Sequence, residues 1–252
     1  MKTTIKTIIL MAALTFVWGC TSDCDENANS VFVTSAFPNW KIDWSSNDAR
    51  PSWSSPNPSI FESSMIIMVK LQDELVPYST DADLMSIFIN DECRAVSRPD
   101  GEGNDIYFIL NVHGNSTDRE VLFTLNYYCN ALKQLFTLTG NGTYLAERNY
   151  GTETDYIAPL LQGSTKYPIQ TNLHVALSDN KPFETSPDDL IAAFVGNECR
   201  GVCTSEETLT VYSSQVGETV QLRYYSDQKK GIYTSPKNIQ VSGGSQNVMM
   251  EF

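Results

Sequence analysis

One segment of the chain occurs twice, and the two copies fix the register of most of what surrounds them. Asp83-Leu84-Met85-Ser86-Ile87-Phe88-Ile89-Asn90-Asp91-Glu92-Cys93-Arg94-Ala95-Val96 returns as Asp189-Leu190-Ile191-Ala192-Ala193-Phe194-Val195-Gly196-Asn197-Glu198-Cys199-Arg200-Gly201-Val202. Each copy is an apolar run, a two-residue turn and a second run opening on Glu-Cys-Arg, which is how a β-hairpin reads in one dimension. An offset of 106 holds without gaps from Met65 to Val96. An offset of 97 then carries Leu125 to Leu222, Tyr127-Tyr128 to Tyr224-Tyr225 and Lys133 to Lys230. The difference falls after Val96, where Arg98-Pro99-Asp100-Gly101-Glu102-Gly103-Asn104 reads as a loop. Loops absorb insertions because closure cost grows slowly with length. A period near 100 residues is too long for a solenoid and fits two domains in tandem.

The pattern predicts strands near Met65–Leu71, Leu84–Ile89, Cys93–Arg98, Ile106–Val112, Val121–Tyr128, Gln134–Leu138 and Tyr144–Arg148. The second half repeats the plan at Leu173–Leu177, Leu190–Val195, Cys199–Cys203, Thr208–Tyr212, Thr219–Tyr225, Gly231–Thr234 and Ile239–Val241, with a last apolar stretch at Val248–Phe252. No helical periodicity of useful length competes. Short strands with turn signals every 8–12 residues predict an all-β chain of two tandem immunoglobulin-like β-sandwich domains, at residues 64–162 and 163–252. Asn149 to Tyr167 reads as the connection between them.

Each half has ample length for its own core, and 41% hydrophobic with 11% aromatic residues excludes a disordered chain. The formal charge is −13. A surface of that sign repels phosphate backbones, so nucleic acid is excluded as a partner class.

Met1 to Trp18 has a basic start at Lys2 and Lys6 and an apolar run from Ile8 to Trp18, the layout of a secretory signal. Gly19-Cys20 follows, and the junction resembles the lipobox of bacterial lipoproteins, with Val17 where Leu is usual and the bulky Trp18 before it. The acidic Ser22-Asp23-Cys24-Asp25-Glu26 resembles the surface-export signal of Bacteroidota lipoproteins. The resemblance implies a signal over residues 1–19, lipidation at Cys20 and an outer-membrane, cell-surface location through the lipid anchor, with residues 20–63 as tether and strap. Losing two lysines and no acid with that signal leaves −15.

The strap runs through Phe37-Pro38-Asn39-Trp40-Lys41-Ile42-Asp43-Trp44 to Arg50-Pro51-Ser52-Trp53 and on to Phe61-Glu62. Its prolines forbid a helix. Trp40, Trp44 and Trp53 either pack across the first sandwich, the favoured reading, or stay exposed as a stacking platform for sugar rings. They are the candidate ligand-binding residues, and a glycan or a protein is the expected ligand.

Nothing in the sequence assembles a catalytic site, a metal site or a cofactor motif. His113 and His174 do not correspond in the repeat and lack metal-spaced partners. Asp81, Asp83, Asp188 and Asp189 precede the hairpins, where carboxylates either bind Ca²⁺ or accept backbone N–H bonds in a turn; the turn is favoured. Glu92 and Arg94, like Glu198 and Arg200, lie two apart and share a strand face as an ion pair, with Cys93 and Cys199 turned the other way into the core. Five cysteines besides Cys20 leave at least one unpaired, and Cys93 with Cys129 is the one disulfide considered.

The strap and the doubled Phe-Val/Ile-x-x-Glu-Cys-Arg-Gly/Ala-Val resemble uncharacterised cell-surface lipoproteins of Bacteroidota. The resemblance implies architecture and brings no catalytic residues with it. The first copy departs at Ala95, where Gly201 is the commoner form. The expected function is non-catalytic binding or adhesion on the cell envelope. The alternatives are a structural or assembly subunit, with Val248–Phe252 adding to a neighbour's sheet, and a hydrolase with converging carboxylates.

Overall fold

The computed structural model describes residues 30–101, 103–140, 142–152, 154–204 and 207–252. The signal, Cys20 and the acidic tether lie outside the described residues. The first half holds β2 (Ser63–Lys70), β3 (Leu84–Ile89), β4 (Glu92–Ser97), β5 (Tyr107–Gly114), β6 (Thr124–Cys129), β7 (Gln134–Leu138), β8 (Asn149–Tyr150) and β9 (Leu161–Ser164). The second holds β10 (Ile169–Leu177), β11 (Leu190–Val195), β12 (Glu198–Thr204), β13 (Leu209–Ser213), β14 (Glu218–Ser226), β15 (Gly231–Val241) and β16 (Gly244–Met250). A strand ahead of both, β1 (Val31–Thr34), opens the described chain.

Two β-sandwiches result, and their strand orders match. A five-stranded sheet β4-β3-β6-β7-β9 faces β5-β2-β8 in the first, and β12-β11-β14-β15-β1 faces β13-β10-β16 in the second. In each, the central strand of the smaller sheet, β2 or β10, pairs antiparallel with β5 or β13 and parallel with β8 or β16. Alternation sets the faces: Met65, Ile67 and Val69 of β2 meet Met85, Ile87 and Ile89 of β3 in the first core. The hairpin turns need left-handed backbone, which Asn90 (φ 49°), Asp91 (φ 62°) and Gly196 (φ 60°) supply. Directly after each turn the pairing slips, between Ile87 and Phe88 and between Ala193 and Phe194. Arg94 and Arg200 are thereby the extra residues of twin β-bulges.

Several boundaries move. Tyr144–Arg148 is not a strand; the parallel ladder to β2 forms at Asn149–Tyr150. Tyr144 is instead buried against Gly114, where a Cβ would lie 2.5 Å from its ring. Pro236 does not divide the last hairpin, because β15 crosses it where pairing with β14 slips between Thr234 and Asn238 and no ladder N–H is needed. Asn149 to Tyr167 is not purely a connection: it contains β9, which extends the first sheet along β7, so the domains part after Ser164. Val248–Phe252 is used within its own domain: β16 runs along β10, and Phe252 is buried against Phe183 at 5.1 Å.

The largest departure concerns the strap. The slot that β9 fills in the first domain is filled in the second by β1, antiparallel to β15 with Val31 opposite Thr234. From there the chain crosses to the first domain, where the Ser46 and Asp48 amides donate to the Leu132 and Lys133 carbonyls, both at 2.9 Å. It therefore spans both domains rather than the first alone. The reason is on the outer faces of the two large sheets. Phe88 and Phe194, equivalent in the repeat, each point outward, and a tryptophan covers each: Trp53 edge-on to Phe88 at 6.0 Å, Trp40 edge-on to Phe194 at 5.6 Å. Trp44 lies between them at the junction, 4.9 Å from Tyr212 of the second domain and 5.5 Å from Phe136 of the first. The indole is 5% exposed. Edge-to-face pairs of this kind add to the large apolar area the rings bury.

Candidate functional site: the interdomain cleft

The doubled motifs engage most of the polar side chains around the two hairpins. Asp83 is fully buried and accepts from the Thr80 amide (3.1 Å), the Thr80 hydroxyl (2.8 Å), the Asn130 amide (2.9 Å) and the Tyr127 hydroxyl. Asp189 repeats this with the Ser186 amide (2.8 Å), the Asp227 amide (2.6 Å) and the Tyr224 hydroxyl (2.7 Å). Each carboxylate thus ties the turn before one hairpin to the end of the next, and protein donors occupy the oxygens that a Ca²⁺ ion would need. Among the described residues no His, Cys, Asp and Glu cluster has the spacing to hold a metal ion.

Arg94 and Arg200 are buried, not surface, members of their ion pairs. Arg94 grips Asp118 through two nitrogens (2.8 and 3.3 Å), reaches Glu92 at 3.0 Å and lies 4.8 Å over the Phe61 ring. Arg200 grips Glu218 (3.0 and 3.3 Å), reaches Glu198 at 3.1 Å and lies 4.4 Å over Tyr167. Phe61 and Tyr167 stand 106 residues apart, so the repeat extends beyond Met65. The acids do not correspond in sequence, so only the arginine half of each pair was legible. Glu92 and Arg94 do pair, but the bulge turns the arginine inward while Glu92 stays exposed. Cys93 and Cys199 accordingly point away from the core and lie under the strap, Cys199 in a cluster with Phe194 and Trp40.

Cys93, Cys129, Cys199 and Cys203 are all free thiols, so the considered Cys93–Cys129 disulfide is not formed. Cys129 is buried in the first core and donates to the Tyr78 carbonyl at 3.4 Å, on the other side of the sheet from Cys93. Burial pushes the Cys203 thiol up to about 12, with the Glu207 charge adding to it. A thiol so held stays protonated and unreactive at neutral pH.

A cleft of about 840 Å³ opens between the domains. One wall is the outer face of the second domain's smaller sheet. Gln170, Asn172 and His174 alternate outward along β10 while Leu173 faces the core, and Thr208 and Thr210 stand beside them. The opposite wall is the loop after β2, with Gln72, Glu74 and Tyr78. The strap closes the end with Trp40, Lys41 and Trp44. Asn172 Oδ1 accepts from Gln170 Nε2 (3.3 Å) and Thr210 Oγ1 (3.2 Å), which orients a row of amides along the floor. His174 Nδ1 lies 3.3 Å from Thr208 Oγ1 at the exposed rim. His113 is elsewhere, buried and stacked on Phe61.

Of the three strap tryptophans, Trp40 is half-buried and borders the cleft. Trp44 also borders it, but its ring is enclosed by Phe136, Tyr167 and Tyr212, so it packs rather than presents a platform. Trp53 lies on the first domain, away from the cleft. The β10 amides and Gln72 were not singled out in the sequence. Alternation marks Gln170 and Asn172 as outward-facing, but only the docking of the domains makes that face a wall. Comparison with protein-family models, with curated proteins and with solved structures finds no match to this chain.

Proposed function

We propose that this chain is a lipid-anchored protein of the bacterial outer membrane, displayed at the cell surface, that binds a ligand without transforming it. The observation that carries the reading is the interdomain cleft: its volume lies in the ordinary range for ligand sites, and two domains and the strap line it with side chains that donate and accept hydrogen bonds. The anchor rests on the resemblance of the Gly19-Cys20 junction to a lipobox, and dual or triple acylation there would hold the protein firmly. Glu74 and Glu207 enter the cleft from different domains and stand exposed to solvent. The general acid of a glycosidase sits in an enclosed apolar setting instead, which favours binding over hydrolysis.

Two experiments test this. Metabolic labelling with a fatty-acid analogue should mark the wild-type chain and not Cys20→Ala, and protease shaving of intact cells should release the described domains. Polysaccharide and protein ligand screens of residues 30–252 should give retention that Trp40→Ala or Asn172→Ala removes. Retention indifferent to both would discard the cleft as the site.

A second reading, an assembly subunit, is favoured by one observation. Val31, Phe32 and Val33 of β1 are exposed, and β1 lies at the edge of its sheet. Such an edge accepts an added strand. Crosslinking on intact cells separates the two, since recovery solely as monomer removes the assembly reading.

A further inference from the structure

We infer that the cleft selects an uncharged oligosaccharide, with Trp40 of the strap as stacking face and the amides of Gln170 and Asn172 as hydroxyl-binding groups. This rests on the binding reading above and names its ligand class. The first ground is the pairing of group types. A sugar ring offers an apolar face of C–H groups and a rim of hydroxyls that both donate and accept. A half-buried indole meets the face. Amides, with a donor and an acceptor each, meet the rim.

The second ground is unspent hydrogen-bonding capacity. Gln170 Nε2 and Thr210 Oγ1 converge on Asn172 Oδ1. Among the described residues this leaves the Asn172 amide nitrogen and the Gln170 carbonyl oxygen without protein partners. A hydroxyl-rich ligand would satisfy these two groups, which face the cleft from the second domain.

The third ground is charge. Among the described residues, Lys41, Glu74 and Glu207 are the charged ones lining the cleft and none is an arginine, and the chain as a whole carries −13. Carboxylate or sulfate groups on a ligand would find a single lysine against two glutamates and a negative surround, so acidic glycans are disfavoured.

The test uses residues 30–252 in affinity electrophoresis and calorimetry. The probes are neutral polysaccharides (a β-glucan, an α-mannan, a xylan), acidic ones (polygalacturonate, heparin) and a basic peptide. Retention by at least one neutral polysaccharide is expected. Trp40→Ala and Asn172→Ala should each weaken it at least tenfold, and Trp53→Ala, the strap indole outside the cleft, should leave it unchanged. Circular dichroism confirms that each variant is folded, and Asn172→Ala keeps the test valid should Trp40→Ala disturb the strap. Binding of an acidic glycan or the peptide, lost in Asn172→Ala, overturns the ligand class and spares the binding reading. Neutral-glycan binding untouched by both variants overturns the site. No retention of any probe overturns ligand class and binding reading together. Release of reducing ends, abolished by Glu74→Gln or Glu207→Gln, keeps the ligand class and removes the non-catalytic reading.

Discussion

The indole of Trp44 and the ring of Tyr212 meet edge-on at 4.9 Å, although one belongs to the strap before the first domain and the other to the second domain. Tyr212 is buried against the first domain, where its hydroxyl donates to the Leu161 carbonyl at 3.4 Å. The two sandwiches are therefore joined through a shared aromatic plug and not through the linker alone. Trp44→Ala should cost about 3–5 kcal/mol, the usual loss for emptying a large buried aromatic. Scanning calorimetry should then show two separate transitions where the wild type shows one.

Arg94 and Arg200 predict a sharper asymmetry between single and double variants. Asp118→Ala leaves the Arg94 guanidinium buried without its bidentate partner, as Glu218→Ala does for Arg200. Removing one member of a buried pair costs about 3–5 kcal/mol, whereas replacing both with apolar residues of similar size is near neutral. In urea titrations, Asp118→Ala should lower the midpoint strongly, and Arg94→Met with Asp118→Leu should recover most of it.

Ala95 and Gly201 occupy the same position of the repeat beside the bulge, yet they are not interchangeable. A Cβ on Gly201 would lie 2.1 Å from the Thr210 carbonyl oxygen, a backbone atom that cannot swing aside. Gly201→Ala should destabilise by about 2 kcal/mol or more through overpacking. Ala95→Gly should cost only about 1 kcal/mol, from chain entropy in a strand. Equilibrium denaturation of the pair measures the difference.

The phenols and thiols set the alkaline limit. Burial raises Cys203 from 9.0 to about 12, and burial, then the neighbouring Cys129 and Asp83 charges, raises Tyr127 well above its ordinary 10.0. Groups whose folded values are raised bind their protons more tightly folded than unfolded. Their stability contribution is complete below the unfolded values and is lost as pH rises through the folded ones. Stability should thus hold to about pH 9 and fall between 9 and 12. The part of the tyrosinate absorbance that Tyr127→Phe removes should rise together with loss of the circular dichroism signal, not before it.

Much of the architecture was legible because strand periodicity and turn chemistry are local. Leu84–Ile89, Gln134–Leu138 and Leu190–Val195 fall where expected, and the Asn90-Asp91 turn adopts the left-handed backbone its residues tolerate. The bulge interrupts strict alternation in both hairpins. A single extra residue reverses the faces that strict alternation assigns, so Cys93 and Cys199 exchange places with the arginines. β9 and β1 escaped notice for a different reason. Four-residue edge strands carry little pattern of their own, and their pairing is decided by the free edges of β7 and β15.

The sequence by itself determined a duplicated all-β chain, the hairpins, and the twin aspartates that accept from their turns, because each follows from side chains within one segment. Tertiary structure alone decided that the strap binds both domains, that Asp118 and Glu218 complete the arginine pairs, and that the outward amides of β10 face a cleft. Those outcomes depend on which surfaces meet across separations from tens of residues, as for Arg94 and Asp118, to well over a hundred, as for Trp44 and Tyr212. Burial at such a junction is a property of the packed whole, and no window of residues encodes it.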